Sequence, residues 1–156
     1  MYKQVVYKRQ LLGQIFLKRG LINKDQLKEA LELQKKSKEF LGQILVKLGY
    51  LNERNLVMGL SMQCNIPYLP PLRYKTNADM AAIIPKDFAV SNHVICMDKF
   101  EDVLTIAIAN PLDEALLEKI VQISKCSLGL CIATIKEIDE AIEKSYAKNK
   151  EASAPK

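Results

Sequence analysis

Two glycines at matching places, Gly13 and Gly42, each lie inside a short apolar segment that reads Leu-Gly-Gln-Ile. A glycine inside a helix costs about 1 kcal/mol against alanine. Two of them at corresponding positions therefore mark a close approach, by a neighbouring helix or by a flat ligand laid against backbone. Each segment leads, further on, to a glutamine, Gln34 or Gln63. Other candidates for chemistry are sparse. His93 is the only histidine and opens a predicted strand, where a structural role fits better than that of a base. Asp113, Glu114 and Glu118 fall on a predicted helix, the first two in the turn that favours negative charge. Asp98, Glu101 and Asp102 surround a predicted hairpin turn, where acidic residues are common. No phosphate-cradling GxxxxGK, GxSxG, HExxH or GxGxxG pattern occurs. The chain reads as non-enzymatic. Cys64, Cys96, Cys126 and Cys131 form no CxxC pair and, with one histidine, no four-ligand metal set, so they read as reduced core thiols of a cytoplasmic protein.

The elements that position the glycines come from an internal repeat. Residues 11–34 align without gaps on residues 40–63. Leu12, Gly13, Gln14, Ile15, Lys18, Gly20, Asn23, Leu27, Leu31 and Gln34 recur as Leu41, Gly42, Gln43, Ile44, Lys47, Gly49, Asn52, Leu56, Leu60 and Gln63. Each copy predicts a short helix stopped at Gly20 or Gly49, the favoured residue just past a helix end. Asn23 or Asn52 then stands where an N-cap belongs. A second helix follows, carrying Leu27 and Leu31, or Leu56 and Leu60, at i and i+4 on one face. One such unit cannot bury its apolar stripe alone; two packed together can. The two copies are expected to fold against each other into one apolar groove.

The rest of the chain has a different rhythm. Pro70 and Pro71 predict an extended linker. Residues 77–90 read as two short helical turns around Pro85. Residues 93–100 and 102–110 are rich in β-branched side chains and read as an antiparallel hairpin. A helix over 112–124, a strand over 127–133 and a last helix capped by Thr134 with Glu137 at the capping-box position complete a ββαβα order. The expected fold class is α+β: an N-terminal helical subdomain of two tandem helix-turn-helix repeats (1–64), a Pro-rich linker (65–73), a small α/β sandwich subdomain (74–148) with three or four strands, and a disordered tail (149–156).

Hydrophobic residues make up 49% and charged residues 26% of the 156 positions, enough apolar material for a core in an ordinary soluble protein. No apolar run is long enough to span a bilayer, and the first ten residues hold no secretory h-region. The net charge of +5 is uneven: residues 1–50 hold 11 Lys and Arg against 4 Asp and Glu, and the remainder is slightly acidic. A localised positive field concentrates anionic partners. Nucleic acid is not among those expected, because no aromatics are interleaved with the basic residues and no nucleic-acid-binding module is recognisable.

The doubled pattern Leu-Gly, Gly seven residues on, then L-x3-L-x2-Q, resembles the N-terminal domain of type II secretion and type IV pilus assembly ATPases. So do Ile-Pro-Tyr-Leu-Pro-Pro-Leu at 66–72, Ile-Pro at 84–85, the Asn-Pro turn at 110–111 and the Thr134, Glu137, Ile138, Ala141, Ile142 series. Some members of that family bind cyclic di-GMP. The resemblance implies ligand contacts at Leu12, Gly13, Leu27, Leu31 and Gln34 in the first copy and at Leu41, Gly42, Leu56, Leu60 and Gln63 in the second. It also implies a secretion or pilus-assembly ATPase, or its membrane platform protein, as partner. Aliphatic side chains would cover purine faces, glycine would admit a base or phosphate near backbone N–H groups, and glutamine would bond a polar edge. The family pattern opens each copy with arginine, and this chain has Leu11 and Phe40 there. Neither can supply a guanidinium's bidentate bonds. The alternative that follows is a protein-protein docking domain of the same fold without nucleotide binding.

Overall fold

The computed structural model describes residues 11–74 and 78–152. They fall into two compact units, divided between Asn65 and Ile66.

The helical unit contains α1 (Leu12–Lys18), α2 (Lys24–Lys36), α3 (Leu41–Lys47) and α4 (Glu53–Cys64). Local signals fix its turns. Gly20 and Gly49 follow the ends of α1 and α3 with φ of 66° and 75°. Each turn closes with a pair of backbone bonds: Leu21 N–H to Phe16 O and Gly20 N–H to Leu17 O, repeated as Tyr50 to Leu45 and Gly49 to Val46, all at 3.0 Å. This is the Schellman arrangement, which needs the left-handed residue that glycine supplies. Asn23 Oδ1 then accepts from Gln26 N–H at 2.8 Å, and Gln26 Oε1 accepts from Asn23 N–H at 2.9 Å. Asn52 Oδ1 accepts from Asn55 N–H at 2.8 Å. The two hairpins pack crosswise, α1 against α4 and α2 against α3. Phe16 and Leu45, at equivalent positions, are fully buried.

The α/β unit contains α5 (Ala78–Ala81), α6 (Lys86–Asn92), β1 (Val94–Phe100), β2 (Val103–Ile108), α7 (Glu114–Ser124), β3 (Ser127–Ile132) and α8 (Ile135–Ala152). Its sheet runs β1-β2-β3; the first pair is antiparallel with an irregularity at Met97, and the second is parallel across the α7 crossover. Leu104, Ile106 and Ile108 alternate onto one face of the sheet and share a core with Leu128 and with Ile138 and Ile142 of α8, while Ile95, Ala107 and Cys131 are buried on the other face. Thr134 and Glu137 form the expected capping box at 3.0 and 3.2 Å.

Three expectations need correction. The 65–73 segment is a built part of this unit rather than a free linker. Tyr68 bridges Ile132 in parallel, Leu69 N–H donates to Ile132 O at 3.0 Å, and Ile132 N–H donates to Pro67 O at 2.9 Å. Two edge groups of β3 thereby find partners. Pro71 is buried and begins a 3-10 turn to Arg73. Second, α8 continues through 149–152, where a disordered tail was expected; residues 153–156 lie outside those described, as do 1–10. Third, His93 closes α6 instead of opening β1. Its φ is 48°, a left-handed turn from helix into strand that histidine tolerates better than a branched residue, and its Nδ1 lies 2.7 Å from Asp139 Oδ1.

Candidate functional site

The ten residues singled out in the repeats separate into two layers. Leu12, Gly13, Leu27, Gly42 and Leu60 are buried. Leu41, Leu56, Gln34 and Gln63 are half-buried, and Leu31 is exposed.

Each motif glycine has its close neighbour within its own copy. A Cβ built on Gly13 would lie 2.7 Å from Leu27 Cδ1, and one built on Gly42 would lie 2.2 Å from Leu56 Cδ1. The close approach read from the sequence is thus a leucine of the following helix seated over the glycine. Without a Cβ there, the leucine side chain packs directly on the glycine. A third glycine gave no such signal. Gly59 of α4 would place a Cβ 2.4 Å from Phe16 Cε1 and 3.3 Å from Leu12 Cδ1, so it is the seat for α1 against α4. Its counterpart in the first copy is Ala30, fully buried. A small residue at this place in both copies was the available clue.

Polar groups join the copies. Gln34 Nε2 donates to Glu39 O at 3.3 Å, which ties the end of α2 to the residue before Phe40. Lys47 is ion-paired with Glu39. Tyr50 donates its hydroxyl to Glu29 Oε2 at 2.5 Å, and that hydrogen bond to the carboxylate raises the phenol's pKa. Leu11 stands at the N-cap position of α1, 70% exposed, with no side-chain cap; Phe40 holds the same place before α3 and is half-buried.

Several other chemistry-bearing groups have structural roles. Burial pushes the Cys96 thiol up to about 12, with Cys126 adding to it, and pushes Cys131 up to about 11. A thiol held neutral in this way is a poor nucleophile and metal ligand. Cys126 and Cys131 also point their sulfurs at backbone carbonyls, each at 3.3 Å. Glu137 accepts from Thr134 N–H with one oxygen and from the Tyr68 hydroxyl with the other, at 2.5 Å, so it clamps the 65–73 segment to α8. Among the described residues no three His, Cys, Asp or Glu side chains gather as a metal site, and no helix is long and apolar enough to cross a membrane.

Two glycine-seated helical hairpins in tandem, followed by a small α/β unit, define a two-unit α+β module. A family model, the MshEN domain, matches residues 64–152, and the chain belongs to that family. Its class is that of the N-terminal domains of type II secretion and type IV pilus assembly ATPases. Among solved structures, MshE with cdg matches with a TM-score of 0.76 and 26% identity, covering 88% of this chain and 100% of that one. That coverage is more than the α/β unit alone can supply, so the likeness reaches into the repeats. The N-terminal domain of XpsE matches in two crystal forms, with TM-scores of 0.70 and 0.60 at 17% and 21% identity. These cover 85% and 88% of this chain and 92% and 98% of the other, and show the shared fold. No curated protein sequence matches.

Proposed function

We propose that this chain is a non-enzymatic, cytoplasmic regulatory module of a secretion or pilus-assembly system that binds cyclic di-GMP and relays its presence to an ATPase or its membrane platform protein. One observation carries the reading: the likeness, over 88% of the chain and at 26% identity, to MshE with cdg. The doubled motif supports it, because two quasi-equivalent hairpins suit a ligand with two-fold symmetry. Leu31, Gln34, Leu41, Leu56 and Gln63 are open or half-open and offer the direct contacts. Leu12, Gly13, Leu27, Gly42 and Leu60 lie beneath and hold the shape of the surface. Titration calorimetry with cyclic di-GMP, with GTP as control, tests it. Saturable heat specific to the cyclic dinucleotide is expected; no heat at about 100 µM ligand removes the reading.

A second reading, docking of a protein partner without nucleotide, is favoured by Leu11. An apolar side chain 70% exposed at the place of an arginine extends a hydrophobic surface. Replacing Leu11→Arg together with Phe40→Arg restores two guanidinium groups and is expected to strengthen cyclic di-GMP binding about tenfold or more. An unchanged affinity in calorimetry would favour docking.

A further inference from the structure

The two copies are alike in sequence and unlike in exposure, and the contrast between Leu31 and Leu60 falls on one face of α2 and of α4. Lys24, Lys28, Leu31 and Lys35 follow at i, i+4, i+7 and i+11 along α2 and so share a face. All four are exposed. Among the described residues none of the three ammonium groups is in an ion pair. Of the acidic residues of α2, Glu29 lies round the helix and is engaged by Tyr50, while Asp25 and Glu32 border the lysine row, three and four residues from Lys28. Leu27, Leu31 and Gln34 form the adjoining row, so a ring lying on Leu31 has the three lysines along its flank.

The same four positions in the second copy are Glu53, Val57, Leu60 and Cys64. Val57 and Leu60 are each 3% exposed, so this face of α4 is closed and carries no cation. The second copy's Lys47 is tied to Glu39, and Arg54 stands at the position of Asp25, off the face. Resting on the function proposed above, we infer that the phosphates of a bound cyclic dinucleotide are met by Lys24, Lys28 and Lys35 of the first copy. These lysines take over the countercharge that Leu11 and Phe40 do not supply, and the second copy contributes apolar and amide contact only. The site is electrostatically one-sided although its sequence motif is two-fold. Long lysines make point-charge contacts in place of the bidentate arginine fork, so binding should depend steeply on salt.

The test is calorimetry of the full chain with cyclic di-GMP, comparing wild type, a K24Q/K28Q/K35Q variant, and a K18Q/K36Q/K38Q variant that removes equal charge elsewhere on the same unit. All six side chains are exposed, and circular dichroism checks that both variants stay folded. The first variant should bind about tenfold or more weakly and the second within about threefold of wild type. Raising salt from about 50 to about 500 mM should weaken wild type more than the first variant. Equal losses in the two variants would assign the effect to net charge and overturn the inference, as would an unchanged affinity in the first. Wild type without any heat would instead remove the proposed function and this inference with it.

Discussion

Replacing Gly13→Ala and Leu27→Ala, singly and together, isolates the contact on which the first hairpin is built. A Cβ at Gly13 would meet Leu27 at Cδ1, Cδ2 and Cγ at 2.7, 3.1 and 3.5 Å. Leu27 is only 8% exposed, so its methyl groups have little room to retreat. Overpacking of this kind costs about 1–3 kcal/mol. The gain in helix propensity from glycine to alanine offsets about 1 kcal/mol of it. Gly13→Ala alone should therefore destabilise by about 0–2 kcal/mol. Leu27→Ala alone removes a buried side chain and should cost about 2–5 kcal/mol. In the Leu27→Ala background the new methyl group meets no branch point. There Gly13→Ala should stabilise by about 1 kcal/mol through propensity. The coupling between the two sites is then about 1–3 kcal/mol, in the range of directly contacting residues. Urea unfolding followed by circular dichroism at 222 nm, the far-ultraviolet helix band, measures all four proteins. Additive changes, with Gly13→Ala destabilising equally in both backgrounds, would refute the seat.

Three other expectations use different parts of the molecule. Gly20→Ala and Gly49→Ala should each cost about 1 kcal/mol in urea unfolding, because both positions have positive φ although nothing lies within 4 Å of the added carbon. Stability should fall as pH rises from about 9 towards about 12. Cys96 and Cys131 are held neutral in the fold to about 12 and about 11, against an ordinary value of 9.0, so the unfolded chain releases their protons first. The stabilisation is complete below the unfolded value and lost as pH rises through the folded ones; Cys96→Ala should make the decline in urea midpoint shallower. Glu137→Ala should cost about 1–2 kcal/mol by removing the cap of α8 and the acceptor for Tyr68. Amide exchange at Leu69 and Ile132 should quicken in that variant, and unchanged protection there would show that the clamp does not hold the segment.

The helical unit was legible in the sequence because its turns are settled locally. Gly20 and Gly49 meet a backbone requirement within six residues, and Asn23 and Asn52 cap N–H groups three residues away. The hairpin of β1 and β2 was legible for the same reason, from β-branched runs and a short polar turn. The 65–73 segment was not. Two prolines describe an extended backbone, and only the vacant edge of β3 at Ile132, more than sixty residues away, turns it into a sheet contact. The left-handed residues His93 and Lys125 were equally hidden, since each is placed by the strand that must follow its helix.

Residue order established that two copies exist, where the helices of the repeats begin and end, and that Gly13 and Gly42 mark close approaches; the structure supplied the leucines that make them. Order alone could not determine which copy faces water. Leu31 and Leu60 occupy the same position in the repeat, yet one is 40% exposed and the other 3%. Local bonds repeat whenever the residues repeat, whereas burial depends on what lies across the helix in space, and the two copies have different neighbours. Packing alone therefore decides that the basic face of α2 stays open while its counterpart on α4 is closed.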